Sequence, residues 1–155
     1  MKKSWLNTIL LKCILLIHLT VITSCNTTKQ ITKVDSQKVN PEHEVFSSEI
    51  AHQILTGMNT GDYITLNENI AADAMVRGFT YEVQQNAAFQ ISMNFGEYAG
   101  PGELVEILYD RKANLFIYRY RGDFESKTDP EVRVVLNEDG KLAGFFVLGW
   151  RDNLQ

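Results

Sequence analysis

The sequence predicts an α+β domain in which N-terminal helices pack on a curved four-stranded antiparallel sheet. Two observations carry the helices: apolar residues recur every third or fourth position over residues 41–60 and again over 81–95. A third carries the sheet. From about residue 103 apolar side chains recur at every second position, and turn residues divide this stretch into strands at about 103–110, 115–124, 131–137 and 141–150.

Asn40-Pro41 opens the first helix. Asn40 can accept from the first free N–H groups, Pro41 has no N–H to leave unsatisfied, and Glu42 and Glu44 suit the positive end. Phe46, Ile50, Ile54 and Met58 recur at every fourth position, with Ala51 and Leu55 beside them, which makes one buried stripe. Thr60-Gly61 ends this helix, and Asp62 can cap a short second one through Tyr63, Leu66 and Ile70. Ala71 to Phe79 reads as a loop that brings Met75 and Val76 near the core. Thr80 can cap a third helix from Tyr81 to about Phe95, with Val83, Ala87, Ile91 and Phe95 inward, and Gly96 stops it.

The last hairpin, Glu131 to Trp150, is the stretch on which the sheet is organised. Val132, Val134 and Leu136 alternate along its first strand, Asn137-Glu138-Asp139-Gly140 is a turn, and Leu142 to Trp150 returns almost wholly apolar. Registering each hairpin on its turn places Val105, Ile107, Tyr109, Phe116, Tyr118, Tyr120, Val132, Val134, Leu136, Ala143, Phe145 and Val147 on one face. All are apolar or aromatic, so this face packs on the helices. The other face carries Leu104, Glu106, Leu108, Ile117, Arg119, Arg121, Glu131, Arg133, Val135, Phe146, Leu148 and Trp150. There Arg119 and Arg133 fall opposite each other, a repulsion unless Glu106 or an outside anion sits between them. Phe146, Leu148 and Trp150 form an apolar patch beside the pair, a contact surface unless a loop or the N-terminal tether folds over it.

At 155 residues and 45% hydrophobic composition the chain is one domain plus a targeting segment. Residues 1–24 hold three lysines and no acid, which leaves 12 basic and 19 acidic side chains and a net charge of −7 beyond them. Such a body, without a basic stripe, argues against nucleic-acid binding and against electrostatic adhesion to anionic lipid. Lys2 and Lys3 followed by the apolar run Cys13–Ile22 has the layout of a secretory signal. Extending that run to Trp5 as a membrane span puts Lys12 at its middle, at a cost of roughly 2.5–3.5 kcal/mol.

The run ends in Ile22-Thr23-Ser24-Cys25, which resembles the bacterial lipobox. The resemblance implies cleavage before Cys25, acylation of that cysteine, and a domain order of 1–24 signal peptide, 25–39 acylated cysteine and flexible tether, and 40–155 α+β domain. Cys13 and Cys25 are the only cysteines, so the mature chain has neither an internal disulfide nor a cysteine metal site. Two or three acyl chains hold a protein essentially permanently, at about 0.8 kcal/mol per buried CH₂. Asn26, where an aspartate would resemble an inner-membrane retention signal, points by that analogy to the outer membrane and the periplasm. The ordinary alternative is a cleaved signal followed by an incidental cysteine.

Three helices before a four-stranded meander resemble the nuclear transport factor 2-like, cystatin-like fold over about residues 42–150. Two pieces are similar to small domains of bacterial secreted proteins: Ile54-Leu55-Thr56-Gly57-Met58-Asn59-Thr60-Gly61-Asp62-Tyr63, and Asp139-Gly140-Lys141-Leu142-Ala143-Gly144-Phe145. The resemblance implies a pocket between sheet and helices, which some members use as isomerases, dehydratases or cyclases and others only for binding or dimerisation. Fold alone does not choose among these.

The sequence carries few residues arranged for chemistry. His43 and His52 lie nine residues apart on one helix and face opposite ways, so they do not share a metal ion, and they read as solvated residues. Hydrolase, zinc-protease and phosphate-loop motifs are absent. Pocket enzymes of the resembled fold pair an acid or histidine base with a hydrogen-bond donor. Tyr109, Tyr118 and Tyr120 on the inward face, with Tyr63 near the mouth, supply donors and line a candidate pocket, but no base shares that face. The sequence therefore predicts an envelope-anchored, non-enzymatic binding or accessory domain, held to the membrane at Cys25 and needing no cofactor. It would bind a small ligand in the aromatic pocket, or pair as a homodimer through Arg119, Arg133, Phe146, Leu148 and Trp150. A pocket enzyme of isomerase or dehydratase type and a structural spacer are the alternatives.

Overall fold

The structure, a computed structural model, describes residues 30–125 and 129–152. The signal segment, the lipobox with Cys25 and the first part of the expected tether lie outside the described residues. In chain order the elements are β1 (Ile31–Val34), a 3-10 turn (Ser36–Lys38), α1 (Pro41–Thr60), α2 (Asp73–Gly78), α3 (Tyr81–Phe95), β2 (Tyr98–Asp110), β3 (Leu115–Phe124), β4 (Pro130–Asn137) and β5 (Leu142–Gly149). The strands form one antiparallel sheet in the order β1-β2-β3-β4-β5, and the helices cover one of its faces.

The first helix forms as its ends dictate. The Asn40 side chain accepts from the Glu42 N–H, Pro41 fills the first turn, and Gly61 closes the helix with φ 82°. Ile50, Ala51, Ile54, Leu55 and Met58 are buried, and Phe46 packs against them. Gly57 is part of the same buried face because the chain doubles back over it. A Cβ there would lie 2.5 Å from the Asp62 carbonyl oxygen.

The expected second helix does not form. Residues 62–70 run as irregular chain and a turn, and a short helix, α2, stands instead where the sequence predicts a loop. The cause is the Gln84 side chain, which accepts from the Ile64 N–H and donates to the Ile64 carbonyl. With both backbone groups engaged from outside, helical bonding through Ile64 is pre-empted. Further on, Ile70 accepts from the Leu142 N–H and Ala72 donates to the Leu142 carbonyl, which fixes this segment beside β5. Met75 and Val76 do reach the core, now from α2.

The sheet has five strands, not four. The additional strand, β1, falls inside the stretch read as tether and pairs Ile31 with Asp110 through Val34 with Ile107. It covers the end of β2 that would otherwise be bare, with Ile31 packed on the outer cluster of Leu108, Ile117 and Val135. Four residues are too short to show a period, which is why the pattern hid it.

Two bulges shift the predicted faces. One between Leu104 and Glu106 sets Leu104 opposite Tyr120 and against the core, leaving Val105 exposed where an inward side chain was expected. The other, between β4 residues Val135 and Leu136, turns Leu142 inward and sends Ala143 to the outer cluster. Of the remaining inward assignments all but Tyr109 pack in the core: Ile107, Tyr118 and Val134 line up across the sheet, as do Tyr120, Val132 and Val147. Val83 of α3 is 46% exposed, and the inward position it was assigned belongs to Gln84.

Candidate functional site

Among the described residues the candidate tyrosines are packed against other side chains, Tyr118 and Tyr120 within the core itself. Tyr118 is completely buried between Ile107 and Val134, and its hydroxyl has no hydrogen-bond partner among the described residues. Burial drives its ionisation far above the ordinary phenol value, with Tyr120 and Glu44 adding to the effect. The Tyr120 hydroxyl shares a hydrogen bond with Ser47, whose own hydroxyl donates to the Glu44 carbonyl. Its pKa is pushed up to about 12, chiefly by burial. Tyr109 lies at the far end of the sheet, stacked on Phe116 with its hydroxyl donating to Asn114. Tyr63 packs edge-on against Tyr81 at 4.9 Å. Tyr118 and Tyr120 thus stay together on the core face of β3, while Tyr109 and Tyr63 pack elsewhere.

The histidines also separate. His43 lies against Gly140, while the His52 Nδ1 is 3.1 Å from the Tyr98 hydroxyl, a contact the sequence reading did not foresee. Burial raises that hydroxyl to about 12, with the charge of Asp123 contributing. Among the described residues no cluster of histidine, cysteine and carboxylate ligands is assembled.

On the outer face the predicted Arg119–Arg133 opposition is present. Glu131 resolves it. The Arg119 Nε and Nη2 donate to the two Glu131 oxygens at 2.8 and 2.6 Å, and the Arg133 Nε donates to Oε1 at 2.8 Å. Arg119 also pairs with Glu106 and donates to the Arg151 carbonyl, while Trp150 covers its guanidinium at 4.4 Å. Burial alone would raise the Glu131 carboxyl, but the hydrogen bonds and charges of Arg119 and Arg133 outweigh it and hold the carboxyl below its ordinary value. Arg119 and Glu131 are fully enclosed, so of the proposed interface residues only Phe146 and Leu148, at 48% and 39% exposure, stand open.

A groove occurs at a place the sequence reading did not single out. It lies between α2, α3 and β5, has a volume of about 480 Å³, and is lined chiefly by Met75, Phe79, Val83, Ala87, Ile91 and Phe145. Gln90 supplies its one polar side chain, and none of its lining side chains titrates. Such a surface binds by desolvation rather than by charge or proton transfer. Its α3 wall, Val83, Ala87 and Ile91, belongs to the stripe expected inward, so the spacing marks the apolar face but not the gap left beside it. Six of the eight large apolar side chains exposed among the described residues belong to α3 and β5.

No family model, curated protein or solved structure matches this chain.

Proposed function

We propose that this protein is a bacterial envelope lipoprotein, acylated at Cys25 and facing the periplasm from the outer membrane, whose nuclear transport factor 2-like domain is a non-enzymatic binding module. The observation that carries the binding role is the α2–α3–β5 groove, apolar and without a titratable side chain. A groove of this kind suits an apolar ligand such as an acyl chain, and it replaces the tyrosine pocket as the candidate site. Support for the binding reading over an acid–base enzyme comes from the buried carboxylate as well. Glu131 lies on the sheet face away from the tyrosines and is held ionised by two arginines, the opposite of a general acid or base tuned towards neutrality.

The test is photolabelling of the full chain with a diazirine-bearing fatty acid, followed by peptide mapping. Label is expected in the peptides that contain Phe79–Ile91 and Gly144–Val147. Ala87→Glu should reduce it by about tenfold or more, because a carboxylate in an apolar site costs a few kcal/mol. Label spread evenly over the chain, or unchanged by Ala87→Glu, overturns the binding reading.

A further inference from the structure

The two ends of the sheet are protected unequally. At one end β1 is only four residues long and carries Lys33, and the part of β2 that β1 leaves uncovered contains Pro101, Glu103 and three register shifts. Short strands, charges, proline and bulges are the usual guards of a strand edge. At the other end β5 has the sequence LAGFFVLG, with no charge and no proline.

The hydrogen-bond pattern shows which β5 groups are bare. Trp150 donates its N–H to the Asp129 carbonyl, and Glu131 lies opposite Leu148, so Leu148, Phe146 and Gly144 also direct their backbone groups to β4. The alternate residues, Phe145, Val147 and Gly149, direct their N–H and C=O groups outward. Leu142 is served by Ile70 and Ala72, but no backbone partner reaches Phe145, Val147 or Gly149 among the described residues. Ala143 to Val147 line the groove as one continuous run, so it lies along the β5 edge on which the outward N–H and C=O groups of Phe145 and Val147 stand. An acyl chain leaves those groups unpaired, whereas another strand satisfies them.

We propose that β5 pairs antiparallel with β5 of a second copy, centred on Val147, so that the two sheets join into one of ten strands. Self-complementarity and charge select this occupant. A two-fold axis at Val147 sets Val147 against its equivalent and Phe145 against Gly149, and every outward group then meets a donor or acceptor. The chain beyond residue 24 carries a net charge of −7, which opposes the approach of another copy in general. Along α3 and β5 Glu82 is the single charged residue, and the Asp73–Arg77 pair of neighbouring α2 neutralises itself at 3.7 Å. Two copies meet there with least repulsion and bury Phe146 and Leu148, which both stand exposed. The proposal rests on the reading of the α3–β5 side as the contact side, and it moves the homodimer seam from the outer face to the strand edge.

The test is disulfide trapping in the full chain expressed with its own N-terminal segment. Paired residues at the centre of such a ladder have Cα atoms about 5.5 Å apart, within disulfide range. Val147→Cys should therefore give a band of twice the chain mass on mild oxidation, and Val45→Cys, 57% exposed on α1, should not. Phe146→Lys added to Val147→Cys should abolish the band. No band with Val147→Cys, an equal band with Val45→Cys, or trapping to a different protein overturns the proposal. Failure here with fatty-acid labelling of the groove intact leaves the binding reading standing; loss of both removes the contact side altogether.

Discussion

At the scale of single residues, Glu131 connects the sequence pattern to a measurable property. Two arginines opposite each other on one face repel, and the chain answers with a carboxylate that both can reach. Because this carboxylate is fully enclosed, removing its charge leaves Arg119 buried with only Glu106 as a charged partner. Glu131→Gln should then cost about 3–5 kcal/mol near neutral pH, read by chemical denaturation. The sign of the pH dependence follows from the depressed carboxyl. Its stabilisation is complete above the unfolded value of about 4.3 and is lost as pH falls through the lower folded value. The gap between wild type and Glu131→Gln should therefore narrow below about pH 4. A gap that stays constant into acid would show that the ion cluster does not carry this stability.

At the scale of elements, close approach overrides propensity. Gly57 sits in the last two turns of α1, where alanine is ordinarily better by about 1 kcal/mol. Here the returning chain places the Asp62 carbonyl where a methyl group would go, and that obstacle is backbone. Gly57→Ala should consequently destabilise the domain by roughly 1–3 kcal/mol, measured as a lowered denaturation midpoint. A stabilised variant would mean that the 62–70 segment does not pack on α1. The same segment shows why the second helix was misread. Tyr63, Leu66 and Ile70 have helical spacing, but the partner that decides their conformation is Gln84, twenty residues further on. Its amide looks like any polar helix residue until the fold encloses it.

At the scale of the whole molecule, the described residues form a helix-covered sheet with the short β1 at one edge, β5 at the other and a groove beside β5. Among the described residues no helix is long and apolar enough to cross a membrane. The proposed attachment depends on Cys25. Cys25→Ser should abolish metabolic labelling with palmitate, and labelling that persists would refute the lipobox assignment. An anchor at that position lies five residues before Gln30, whose amide donates to Asp110 next to β1. Gln30 and β1 stand at the sheet edge opposite β5.

The sequence by itself determined what depends on near neighbours. Helices α1 and α3 follow from caps and apolar spacing, the last three hairpin-linked strands from period and turns, and the Arg119–Arg133 opposition from register alone. Only the tertiary structure decided what depends on a distant partner. A four-residue strand exists because β2 needs covering, bulges exchange Leu104 for Val105 and Leu142 for Ala143 on the core face, and packing closes around Tyr118 and Tyr120. The groove belongs to this second class, because it is the space left between a helix pair and a strand edge that no single stretch of chain encodes. Periodicity reports which side of an element is apolar, whereas the balance of burial and backbone hydrogen bonding across elements decides which apolar side stays uncovered.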